Sequence, residues 1–196
     1  MIKSLSKYIP KNAVDLVQEM MTDHPVHLKI VNNRTTKHGD FKLTKNGDLQ
    51  ITVNKSLNSY QFLLTLVHEV AHLVTYKEKK HLKPHGLEWK RNFQHLMLPF
   101  LQPTIFPTHL LPYLAKYLKN PKASTGSDVH LTYALKQYDE KSGKCFIFEL
   151  QHGTHFLFKN KIYKKGNKRR TRIECVETHS NRTYLFNQNV EVKLIK

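Results

Sequence analysis

Within the 196-residue chain, His68-Glu69-Val70-Ala71-His72 sets two histidines four positions apart with a glutamate beside the first. On a helix, residues i and i+4 project from one face, so His68 and His72 can offer two imidazole nitrogens to one cation. Glu69 can then reach a water held by that cation without ligating the metal itself. These are the parts of a zinc hydrolase: a Lewis acid that acidifies water and a carboxylate that takes its proton. Apolar flanks and a further histidine at short range set the pattern apart from two histidines and a glutamate on an incidental surface face.

A catalytic zinc generally takes three protein ligands and keeps one position open. Six residues after His72 the chain has Glu78 rather than a third histidine, which leaves His81, His85 and Glu88 as candidates. His85 is favoured, because Pro84 fixes the start of a following helix and Gly86 lets the backbone approach closely. Glu88 lies one turn further in, and His81 sits in a lysine-rich stretch.

These residues need rigid elements. Asn58 followed by Gln61 reads as a capping box, and Phe62, Leu63, Leu66, Val67, Val70, Ala71 and Val74 predict a wide apolar helix to about Tyr76. After Pro84, Trp89, Phe93, Leu96 and Phe100 share one helical face, and Leu110, Leu111, Leu114 and Leu118 predict a shorter helix. Upstream, Ala13, Leu16, Val17 and Met20 predict a helix over 12–23 that stops at His24-Pro25. Alternation over 26–31 and at Leu49, Ile51 and Val53, with a strand in 35–43, predicts a small antiparallel sheet. The 49–53 strand is expected to align an extended peptide by β-addition. Tyr76, His81 and Arg91 are candidates to stabilise an oxyanion.

Residues 120–128, NPKASTGSD, read as a connection. The expected organisation is a catalytic α+β domain over 1–120, a linker over 121–131 and a small all-β domain over 132–196. Short β-branched and aromatic runs at 145–150, 154–158, 161–163, 172–176, 183–186 and 190–195 support the last, as a small barrel or meander. Turn candidates fall at Gly153, Asn160, Gly166-Asn167 and Asn181.

LLTLVHEVAHL over 63–73, followed by His85-Gly86-Leu87-Glu88-Trp89-Lys90, resembles the SprT-like family and its second zinc motif, H-G-x-x-[WF]. Lys37-His38-Gly39-Asp40-Phe41 and Ile51-Thr52-Val53-Asn54 are similar as well. The resemblance covers about residues 1–120. It implies a compact zincin-like metallopeptidase with one zinc on His68, His72 and His85 and with Glu69 as base. Eukaryotic members, the Spartan proteases, are associated with cleaving proteins crosslinked to DNA, which implies a setting in DNA repair or stress response. Many members carry a C-terminal four-cysteine zinc ribbon. With only Cys145 and Cys175, this chain cannot build one, and both cysteines are expected to pack as small hydrophobes.

The formal net charge is +17. Residues 1–120 contribute +9 and residues 121–196 contribute +8, so the shorter segment is denser. Lys159, Lys161, Lys164, Lys165, Lys168, Arg169, Arg170 and Arg172 place eight cations in 14 residues with no acid between. Of these, Lys164, Lys165, Lys168, Arg169, Arg170 and Arg172 are the candidate nucleic-acid contacts, with DNA, single-stranded or duplex, as the expected partner beside a protein substrate. Phe156, Phe158 and Tyr163 either stack on bases or point into a core. A second cluster, Lys77, Lys79, Lys80, His81 and Lys83, lies next to the metal motif. The N-terminus carries no secretory signal and no apolar run reaches 18 residues, so a cytoplasmic protein without a membrane partner is expected. Two other readings stay open: a nucleic-acid-binding or transcription-associated protein with a non-proteolytic zinc site, and a general cytoplasmic zinc peptidase.

Overall fold

A computed structural model describes residues 5–34, 36–78, 83–124, 126, 128–140 and 143–195. The chain divides into two units, Met1–Asp139 and Glu140–Lys196. The first mixes helices with a three-stranded sheet, and the second is built around a six-stranded sheet.

In the first unit, a 3-10 turn over Lys11–Ala13 leads into α1, Val14–Asp23, which ends at His24 because the following Pro25 disfavours helical backbone there. Strands β1 (His27–Val31), β2 (Gly39–Leu43) and β3 (Leu49–Asn54) form a sheet in the order β1-β3-β2. The hairpin between β2 and β3 turns at Gly47, whose φ of 86° suits glycine.

The sheet is mixed, not antiparallel as the sequence suggested, since β1 pairs with β3 in parallel from His27↔Gln50 to Val31↔Asn54. Residues 32–38 must carry the chain from one side of β3 to the other across its C-terminal end, and Asn54 makes that crossing stable. Its fully buried Nδ2 donates to Asn33 Oδ1, Arg34 O and Lys37 O at 3.3, 3.2 and 2.9 Å, while its Oδ1 accepts from Arg34 Nε at 2.9 Å. The Asn54 backbone N–H also donates to His38 O. One side-chain amide thus ties three residues of the crossing loop to the end of β3.

Helix α2, Ser59–Glu78, packs against β2 and β3 and buries apolar residues on all sides. Asn58 caps it by accepting from Gln61 N–H at 3.0 Å, as the capping signature implies. Its Nδ2 instead binds Leu135 O and Asp139 Oδ1, at 2.9 and 2.6 Å. Helix α3, Leu87–Met97, buries Trp89, Phe93 and Met97, and α4, Leu111–Lys119, buries Leu114, Tyr117 and Leu118.

A further helix, α5, spans Val129–Lys136, capped by Asp128 Oδ1 accepting from Leu131 N–H. Leu131, Ala134 and Leu135 join the first hydrophobic core. The division therefore falls after Asp139, whereas the sequence reading ended the first domain at 120, drew a linker over 121–131 and began the β domain at 132. The reason is the i, i+3, i+4 apolar spacing of those three residues, which needs a partner face and finds it in the core of the first unit, beside α4.

In the second unit, β4 (Lys144–Phe146), β5 (His155–Phe158), β6 (Lys161–Arg169), β7 (Arg172–Glu177), β8 (Thr183–Asn187) and β9 (Glu191–Leu194) pair in the order β4-β9-β5-β6-β7-β8. All pairs are antiparallel, and β5 to β8 form a meander. Gly153, Asn160 and Asn181 sit at positive φ in turns as expected. Gly166-Asn167 does not turn. Between Lys165↔Cys175 and Lys168↔Ile173, two residues of β6 face one of β7, a bulge in which a Cβ on Gly166 would stand 2.9 Å from Glu174 O. The reversal waits for Arg170, at φ 53°.

Asn54→Ala should lower stability by about 1–3 kcal/mol, since it removes every hydrogen bond that the buried amide makes to the crossing loop. Chemical denaturation measures this, and a loss below about 1 kcal/mol would mean that the crossover holds without the amide.

Candidate metal centre

The buried helix α2 presents His68, Glu69 and His72 to a cleft of about 420 Å3, which is also lined by Gly39, Asp40 and Phe41 of β2. His85 enters from the turn before α3. It sits at φ 57°, an uncommon conformation for a residue other than glycine, in a turn closed by Gly86 N–H donating to Lys83 O at 2.9 Å. A Cβ on Gly86 would meet that same oxygen at 2.9 Å, so glycine lets the turn close. The close approach expected of Gly86 is therefore present.

Three Nε2 atoms converge as a result. His72 lies 3.3 Å from His68 and 2.9 Å from His85, and His85 lies 3.3 Å from His68. Three ring nitrogens meeting at one point cannot satisfy one another, because each neutral imidazole offers either a proton or a lone pair there. A cation satisfies all three. Nitrogens about 2.0–2.1 Å from a zinc at tetrahedral angles stand about 3.3 Å apart, so the spacing fits. Trp89, fully buried, packs against all three imidazoles, with ring centroids 4.6, 5.2 and 4.6 Å from His68, His72 and His85. Phe93 stacks behind it at 5.1 Å. The indole holds the three rings in place from beneath.

Burial sets the protonation states. It depresses His68 to about 3, with the neighbouring His72 and His85 adding to the effect, and depresses His72 to about 4, with His85 adding. His85 is lowered by burial alone. All three are neutral near pH 7, the form that ligates. Burial pushes Glu69 up to about 8, and the charge of Asp40 pushes the same way. The backbone N–H of Phe41, Arg34 and Lys37 oppose that shift, and positive charge held by the histidines would oppose it further.

The other expectations divide. Glu88 is exposed and outside the cluster of His68, His72 and His85. His81 lies outside the described residues, as do Lys79 and Lys80 of the second basic cluster. Tyr76 and Lys83 line the cleft, whereas the exposed Arg91 does not. The 49–53 strand expected to align a peptide is the central one, with both edges taken by β1 and β2; the sheet edge at the cleft belongs to β2. Sequence reasoning missed Gly39, Asp40 and Ala123 as cleft residues. The only signal for the first two was their place in the 37–41 segment, and Ala123 lay in the supposed linker.

Among the six candidate nucleic-acid contacts, Lys165 turns inward. Its Nζ donates to Leu150 O and to Phe148 O, and burial lowers its pKa. Strand alternation explains this, since Lys165 shares the inner face with Tyr163 and Cys175. Arg169 is paired to Glu174 at 2.9 Å. Lys164, Lys168, Arg170 and Arg172 are exposed. Phe156 and Tyr163 are buried in the core of this unit, with Phe158 packed against it, so these aromatics point inward. Cys175 is buried there too.

Opposed shifts make the stability of the metal-free protein depend on pH. Below the ordinary histidine value of 6.5 the unfolded chain binds protons that folded His68 and His72 refuse down to about 3 and about 4, so stability is lost as pH falls. Above the ordinary carboxyl value of 4.5 folded Glu69 keeps a proton, up to about 8, that the unfolded chain releases, so stability is lost as pH rises. Two histidines outweigh one glutamate between those ordinary values, which places the maximum contribution near pH 6.5. The stability of the chelator-treated protein, measured by denaturation, should therefore peak there, and Glu69→Gln should remove the alkaline decline. Identical profiles for the two proteins would contradict the burial assigned to Glu69.

Residues 9–106 match the model of the SprT-like family. No curated protein and no solved structure matches the chain. The matched segment spans half of the chain and contains the three histidines, Glu69, and the strands and helices that carry them, and the chain belongs to the SprT-like family.

Proposed function

We propose that the chain is a zinc-dependent metallopeptidase holding one zinc per chain on His68, His72 and His85. The observation that carries this reading is the convergence of three neutral Nε2 atoms in the cleft that also receives the buried Glu69 carboxyl. Membership of the SprT-like family is consistent with it. A zinc ion bound there supplies a Lewis acid that polarises the scissile carbonyl and acidifies water. Ionised Glu69 takes one proton from the attacking water as its oxygen bonds to the carbonyl carbon, then gives that proton to the leaving amine as the C–N bond breaks. The edge of β2 aligns the substrate as an added extended strand. Tyr76 and Lys83, both at the cleft, are the groups placed to meet charge developing on the carbonyl oxygen.

The substrate is a protein on or near DNA. Residues 140–196 hold 13 Lys plus Arg against 5 Asp plus Glu, and Lys164, Lys168, Arg170 and Arg172 leave their charges to solvent. Such cations neutralise phosphates without reading bases, a mode that suits an enzyme that must find proteins anywhere along DNA in the cytoplasm. Among the described residues no helix is long and apolar enough to cross a membrane.

Zinc analysis should give about one ion per wild-type chain and far less for His85→Ala, while Glu69→Gln should keep zinc and lose about 10²–10⁴-fold in cleavage of a DNA-bound protein. Undiminished zinc in His85→Ala would remove that ligand; zinc without cleavage in the wild type would point to a non-proteolytic site.

Neutralising Lys164, Lys168, Arg170 and Arg172 together should weaken DNA binding and make its log–log salt dependence shallower by about 3 to 4. Neutralising Lys165 alone should leave that slope unchanged. Cleavage indifferent to both DNA and salt would indicate a general peptidase.

A further inference from the structure

We infer that Gly39 is a positioning residue for Glu69: the side chain it lacks is the space in which the Glu69 carboxyl lies. This rests on the reading of Glu69 as the base. Gly39 opens β2 and is not among the glycines at positive φ, so its backbone does not require glycine. The requirement is steric. A Cβ at Gly39 would stand 2.6 Å from Glu69 Oε1, 2.8 Å from Glu69 Cγ and 2.7 Å from Thr65 Cγ2. These are distances that real Cβ atoms do not adopt, so something must move.

Which group yields is decided by what surrounds it. Strand β2 cannot retreat, because Gly39, Asp40 and Phe41 are in register with Val53, Thr52 and Ile51 of the buried central strand. Thr65 is buried on α2, and its β-branched side chain has few helical rotamers. The carboxyl of Glu69 ends a side chain with more rotatable bonds and is the group free to turn. Two residues along the same strand, the Phe41 backbone N–H donates to Glu69. The first three residues of β2 therefore hold the carboxyl twice, by a vacancy at Gly39 and a hydrogen bond at Phe41. A methyl group at 39 pushes the carboxyl out of that seat while leaving the three histidines on their own elements.

The test is Gly39→Ala, alone and combined with Glu69→Ala or Thr65→Ser. With zinc content unchanged, kcat should fall about 10–100-fold and KM should stay within about threefold, as expected when a reacting group is misplaced by about an ångström. Thr65→Ser, which removes Cγ2, should restore part of kcat in the Gly39→Ala background. Thermal unfolding separates this idea from the peptidase reading, because it needs no activity and remains readable if the wild type cuts nothing. The Tm penalty of Gly39→Ala should shrink by about half or more in the Glu69→Ala background, where two of the three close contacts are gone. If Gly39→Ala alone does not fold, recovery of folding with Glu69→Ala is the same positive result. An equal penalty in both backgrounds, or unchanged kcat in Gly39→Ala, overturns the inference.

Discussion

Helix Ser59–Glu78 is buried along most of its length, yet it carries His68, Glu69, His72 and Thr75 among its apolar residues. A polar group taken from water must be paired or it costs stability, and much of the first unit supplies those pairs. Thr75 Oγ1 donates to Ala71 O and accepts from Asn92 of α3, whose amide also binds Glu78. Asn58 at the helix start reaches the end of α5. Glu69 is met by Phe41 of β2, and the two histidines by His85. The elements that surround α2 are thus joined to it by polar contacts as well as by the core, and the cluster of His68, His72 and His85 is the place where protein groups alone leave the account open.

That view explains why three imidazoles can be held close without protonation. The low-dielectric surroundings that penalise a charged histidine are the same Trp89 and Phe93 rings that fix the imidazoles in orientation. Burial raises Glu69 as well, on the side of α2 that meets Gly39 and Phe41 of β2, so the cleft favours neutral imidazoles and a carboxyl with high proton affinity. Both properties suit a site in which a cation is the missing charge.

In the second unit, charge has two uses that composition cannot separate. Lys165 binds Phe148 O and Leu150 O, and Lys161 binds the buried Glu177, which also accepts from Ser180 and Tyr184. These cations stabilise a small sheet with a modest core. Others on the same strands, Lys164 and Lys168 among them, face water and are available to phosphate. A run of basic residues with no acid among them contains both kinds because strand alternation and a bulge at Gly166 send neighbours to opposite faces.

Local patterns were legible in the sequence because they depend on residues a few positions apart. The i, i+4 spacing of His68 and His72, the cap at Asn58, the turn before α3 that brings His85 inward, and most β-strands of the second unit are of this kind. Residues such as Asn54, Gly39 and Lys165 acquire their roles from partners distant in the chain or across a sheet. A buried amide can hold a crossover only once β1 lies parallel to β3, and a glycine leaves room for a carboxyl only once β2 passes over α2. The spacing at 131, 134 and 135 was present in the sequence, but which core it joins was decided by the face that α4 offers. The sequence by itself determined which groups can do chemistry. The tertiary structure decided which of them meet, because pairing and burial are set by contacts between segments and not by spacing within one.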